Sequence, residues 1–135
     1  MTSRPDIAVR TINLDCHDAQ AMARFYSVLL GWEPTFTEPD WVLIRNPDEL
    51  GVGLSFQADP AYRPPTWPEE GDLQQKMIHL DVRVTPAAGQ TPEEALSAAV
   101  GVAEEAGGRA ADHQPREDLR VVLDPAGHPL CLFLD

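Results

Sequence analysis

Within the stretch Lys76 to Val84, apolar and polar positions alternate without a break from Ile78 onwards. Ile78, Leu80, Val82 and Val84 take one parity, and His79, Asp81 and Arg83 take the other. Successive side chains of a strand point to opposite faces, so the pattern predicts a strand with one apolar and one polar face. The stretch Thr11 to Asp18 repeats it: Ile12, Leu14 and Cys16 fall on Leu80, Val82 and Val84, while Thr11, Asn13 and Asp15 fall on His79, Asp81 and Arg83. A helix is predicted after each strand. Asp18 is the first N-cap, Met22, Phe25, Tyr26, Leu29 and Leu30 form the apolar stripe, and Gly31 stops it. In the second copy Thr91 to Glu94 reads as a capping box with Pro92 at the first helical position. Leu96, Ala99, Val100 and Ala103 make its stripe, and Gly107-Gly108 end it.

Three strand-like pieces follow each helix. They run near 32–37, 41–45 and 51–57 in the first half, and near 109–114, 119–123 and 129–134 in the second. The last strands also overlay, with Leu54 on Leu130 and Ser55 on Cys131. Between the halves, ADPAYRPPTWPEEGDLQQ carries four prolines and two aromatics, so it is a semi-rigid connector rather than a strand. The chain is therefore read as one α+β domain over 1–135, made of two βαβββ modules in a pseudo-twofold arrangement. Module 1 covers about 7–57, the connector 58–75 and module 2 about 76–134. One helix per module covers one sheet face, so the polar parity is left to line a cleft around which the sheets curve.

Composition narrows the partners. A net charge of −12 at pH 7 argues against nucleic acid, whose phosphates require a basic surface. No apolar run approaches the ~20 residues that span a bilayer, and the first ten residues lack the apolar core of a signal peptide. With two cysteines there is no disulfide framework, and a cytoplasmic protein is expected.

The stretches LDCHDAQAMARFYSVLLGWEP, MIHLDVRV and REDLRVVLDPAGHPLCLF resemble the vicinal oxygen chelate superfamily. This superfamily includes glyoxalase I, extradiol dioxygenases and bleomycin-resistance proteins, and the chain resembles its glyoxalase-like domain subgroup. The resemblance implies a small-molecule ligand, a homodimer and, in metal-dependent members, four ligands drawn from the first and last strand of each module. Here those positions hold Thr11, Ser55, His79 and Cys131, of which His79 alone keeps a family ligand type. Hydroxyls are feeble ligands for nickel, zinc or iron, so no cofactor is expected and the protein should purify without a stoichiometric ion. The alternative is a divalent metal, for which His79 and Cys131 make a weak soft-metal pair to which Asp15 or Asp81 would add a carboxylate.

The residues expected to line the cleft are Thr11, Asn13, Asp15, Trp41, Ser55, Gln57, His79, Asp81, Arg83 and Cys131. His79 reads either as a hydrogen-bonded polar residue or as a base, ligand or donor. Cys131 reads either as a small buried hydrophobe or as a nucleophile served by His79, and these two are the catalytic candidates. Asp81 and Arg83 read either as a surface ion pair or as fixed charge in the cleft. His17, His113, His128 and the turn DPAGHP read as structural, with Tyr62 and Trp67 of the connector as a lid or rim. Three functions follow: a small-molecule binder, a lyase, isomerase or dioxygenase-type enzyme of the same superfamily, and an interaction module without a ligand.

Overall fold

The computed structural model describes residues 4–48 and 51–134. The elements run β1 (Thr11–Cys16), α1 (Ala19–Leu30), β2 (Glu33–Glu38), β3 (Trp41–Arg45) and β4 (Gly53–Ala58). They continue with β5 (Leu80–Val84), α2 (Pro92–Glu105), β6 (Arg109–Ala110), β7 (Leu119–Leu123) and β8 (Pro129–Leu134). They form two four-stranded mixed sheets, β1-β4-β3-β2 and β5-β8-β7-β6. This is the duplicated α+β architecture expected from the repeat. The register repeats as well: Ile12 stands opposite Leu54 and Asn13 opposite Ser55, as Leu80 stands opposite Leu130 and Asp81 opposite Cys131.

Local chemistry explains the helix ends. The Asp18 carboxylate accepts from the Gln20 and Ala21 backbone N–H groups at 3.0 and 3.1 Å, and Gly31 closes α1 at φ +72°. Thr91 and Glu94 form the reciprocal capping box of α2. At its other end the Gly108 N–H reaches back to the Ala103 carbonyl and the Gly107 N–H to that of Glu104, with Gly107 at φ +109°. This pair of bonds is a Schellman motif, and it needs a residue that tolerates positive φ.

One core serves both modules. Met22, Phe25 and Tyr26 of α1 pack in the same cluster as Phe56 of β4, Leu96 and Ala103 of α2, and Leu130 and Leu132 of β8. A second, small cluster of Ala111, Val121 and Leu123 takes in Trp67 of the connector and Cys131. The connector is thus anchored to the second sheet, and the Trp67 indole N–H donates to the His113 carbonyl at 3.1 Å.

Two expectations change. The strand after α2 has only two residues, because Gln114 takes over its pairing. The Gln114 side-chain amide donates to the Ala111 and Val121 carbonyls and accepts from the Val121 N–H at 2.8–2.9 Å. The parity of the Lys76–Val84 stretch also placed Ile78, Leu80 and Val82 beneath the helices. Ile78 is instead 51% exposed, and Leu80 and Val82 are only half-buried. The strand begins at Leu80 and lies at its sheet edge, whereas β8 is central and carries Leu130 and Leu132 at 0% exposure. Leu132→Ala should therefore cost about 2–5 kcal/mol through cavity formation, and Leu80→Ala less. Urea melts of both variants check the order.

Among the described residues no helix is long and apolar enough to cross a membrane.

Candidate functional site

Six of the expected cleft residues, Asn13, Asp15, Trp41, His79, Asp81 and Cys131, are distributed over three separate hollows. One is a groove of about 380 Å³ where β1, the connector and the turn before β8 meet. Asn13 and Asp15 come from β1, Tyr62, Arg63, Lys76, Met77 and Ile78 from the connector and its exit, and His128 from the second module. The two modules and the connector thus share its walls.

Polar bonds hold this junction. His128 Nε2 lies 2.7 Å from the Asp15 carbonyl, which can only accept, so Nε2 carries the proton. The same nitrogen is 3.2 Å from the Tyr62 hydroxyl, which donates to the Ala126 carbonyl at 2.7 Å. The rings of His17 and Tyr62 meet in a T-shaped contact, 5.1 Å between centroids. Behind them Asp124, 4% exposed, accepts from the Tyr26 hydroxyl at 2.7 Å and from the Ala126 and His128 N–H groups at 2.9 and 3.0 Å. Burial raises its carboxyl above the usual range, against the opposing pull of His128, the Tyr26 bond and the two N–H bonds. Burial, then Asp124, also pushes the Tyr62 phenol up. Burial first, then Asp124, Asp18 and Asp15, lifts the Cys16 thiol to about 11, which suits a sulfur buried in the core.

The groove contains a contrast in pairing. Asp15 uses its carbonyl, while its carboxylate has no hydrogen-bond or ion-pair partner among the described residues, and neither has the Arg63 guanidinium. Lys76, by contrast, is 2.6 Å from Glu69 and lies 5.4 Å from the Trp67 ring centroid.

A second hollow, of about 340 Å³, lies on the open face of the second sheet and holds His79, Asp81 and Cys131 with Arg116, Leu119 and Phe133. His79 Nε2 is 3.3 Å from Asp81 Oδ1, and a ligand atom of each of the three residues lies within 4.8 Å of the others. Burial raises the Cys131 thiol and Asp81 raises it further, with Lys76 opposing. A nucleophilic cysteine needs the reverse shift. The third hollow, on the first sheet, holds Trp41 with Arg10, Phe36, Leu43 and Arg45.

Thr11, Gln57 and Arg83 line none of these hollows. Ser55 is 1% exposed, and its hydroxyl accepts from the Asn13 amide at 2.7 Å. With Ser55 committed to Asn13, and Thr11 offering only a hydroxyl, the first module supplies neither imidazole nor carboxylate at the two expected ligand positions. The four-donor set does not fit. Arg63 was missed because nothing in a Pro-rich connector marks one arginine. His128, read as structural with the turn DPAGHP, lies in the groove wall, and its cross-module partner, Asp15, is distant in sequence.

The profile of the glyoxalase-like domain family matches residues 11–133. Solved structures agree in fold. A glyoxalase-related enzyme from Fulvimarina pelagi is 22% identical with a TM-score of 0.64, over 95% of this chain and 88% of that one. A glyoxalase/bleomycin resistance protein/dioxygenase family enzyme from Burkholderia phytofirmans is 17% identical with a TM-score of 0.64, over 92% and 95%. The bleomycin resistance determinant encoded on transposon Tn5 is 21% identical with a TM-score of 0.56, over 97% and 98%. No curated protein matches the sequence.

Proposed function

Because the chain belongs to the glyoxalase-like domain family, we propose that it binds a small polar organic molecule in the groove between its modules, without the family's four-donor metal centre. The observation that carries this reading is the groove itself. Its volume of about 380 Å³ falls in the range of small-ligand sites, and it is lined by an Asp15 carboxylate and an Arg63 guanidinium that have no partner among the described residues. A ligand with a hydrogen-bond donor for Asp15 and an acceptor for Arg63 would satisfy both, with Met77 and Ile78 offering apolar contact. Tyr62 of the connector lines the groove and would form its rim.

The enzymatic alternative, a lyase or isomerase using His79 and Cys131, requires a thiolate that burial and Asp81 disfavour. The same reading takes the protein as a cytoplasmic homodimer. Phe36, 48% exposed beside Trp41 on the open face of the first sheet, supports a second copy, and light scattering in solution checks it.

The test is a thermal-shift screen of polar metabolites, since a ligand that binds the native state raises the melting temperature. Asp15→Ala and Arg63→Ala should melt as the parent protein does without ligand. Each should weaken any hit at least about tenfold, or ~1.4 kcal/mol. Hits that stabilise both variants as well as the parent would place the ligand elsewhere.

A further inference from the structure

We propose that the second module alone holds a thiophilic divalent cation such as zinc, through His79, Asp81 and Cys131. This ligand set replaces the four-donor centre that Thr11 and Ser55 cannot complete. It differs from that centre in kind, since all three donors belong to one sheet and Asp81 stands at none of the four expected ligand positions.

The register explains how they meet. Asp81 on β5 stands directly opposite Cys131 on β8. Residues two apart on a strand share a face, and His79, just before β5, has the parity of Asp81. Zinc bonds of about 2.0–2.3 Å in a tetrahedron set neighbouring ligand atoms roughly 3.3–3.8 Å apart. The His79 Nε2 to Asp81 Oδ1 separation is 3.3 Å, and Cys131 Sγ lies within 4.8 Å of a donor atom of each. Closing that difference takes a small side-chain rotation at a partly exposed site. Imidazole, carboxylate and thiolate together suit zinc or cobalt better than magnesium or calcium, which take oxygen ligands. On ligation the Cys131 thiol gives its proton to solvent and its sulfur lone pair to the metal. The fourth position faces the hollow, where water or an exogenous ligand completes the tetrahedron.

The experiment uses the full untagged chain, stripped of metal and titrated with cobalt(II). The expected result is a near-ultraviolet thiolate-to-cobalt charge-transfer band that saturates at one ion per chain and is bleached by zinc. Cys131→Ser should abolish the band, Cys16→Ser should leave it, and Asp81→Asn should weaken cobalt binding at least tenfold. Circular dichroism confirms that each variant folds. Should Cys131→Ser fail to fold, Asp81→Asn and His79→Gln carry the test by the same titration. No band in the parent chain, a band that survives Cys131→Ser, or undiminished binding in Asp81→Asn and His79→Gln would overturn the site.

Discussion

Asp124→Ala should destabilise the protein by about 3–5 kcal/mol, because one buried carboxylate terminates three donors at once. The Tyr26 hydroxyl reaches it from the first module, and the Ala126 and His128 N–H groups hold the turn before β8 in shape. Alanine would leave all three without their acceptor beside a buried side chain. Asp124→Asn should cost less, since its amide oxygen still accepts from the two N–H groups and its NH₂ can donate to the Tyr26 oxygen. A urea series on the two variants checks the order, and equal losses would show that the carboxylate contributes through charge alone.

The pH dependence follows from the direction of the shift. Burial raises the Asp124 pKa in the folded state. For a raised group the stabilising contribution is complete below the unfolded value and is lost as pH rises through the folded value. Asp124→Asn does not titrate at this position. The stability of the parent relative to that variant should therefore decline as pH rises from below the ordinary carboxylate range through the folded value. A parent that gains on Asp124→Asn over that interval would mean that the bonds to the ionised carboxylate outweigh its desolvation.

Gly108→Ala is expected to reach or exceed the ~3 kcal/mol upper end of ordinary overpacking. A β-carbon there would lie 2.5 Å from Phe25 Cε1, 2.9 Å from the Leu123 carbonyl and 3.2 Å from that of Ala103. Two of the three obstacles are backbone and cannot rotate away. Phe25 belongs to the first module and Gly108 to the second, so the clash falls on the packing that joins them. Thermal denaturation should show a fall in melting temperature far larger than that of Gly101→Ala. At Gly101, inside α2, a β-carbon meets nothing within 4 Å and alanine improves helix propensity.

Much of this architecture is local chemistry repeated twice. Asp18, Gly31, the Thr91–Glu94 box and the glycines after α2 act within a few residues of their own position, so both helices and their limits could be read from the chain. The two-residue alternation of Ile12 to Cys16 and of Leu80 to Val84 is equally local, and comparing the halves was enough to recover the module order and the shared register of β1–β4 and β5–β8. Tertiary structure decided what the polar faces meet. Alternation says which side a residue takes but not how deeply it is buried. Ile78 falls before β5 and is exposed, and Leu80 and Val82 are half-buried, whereas Leu14 and Cys16 on the equivalent edge strand β1 are buried. Nor does parity fix distance between strands: Ser55 turned to Asn13, whereas Cys131 came to lie beside His79 and Asp81. The groove depends on contacts between residues far apart in the chain, Tyr26 to Asp124 and Asp15 to His128. Such contacts arise only when two independently patterned modules and a proline-rich connector pack together, and no periodicity along the sequence encodes their meeting.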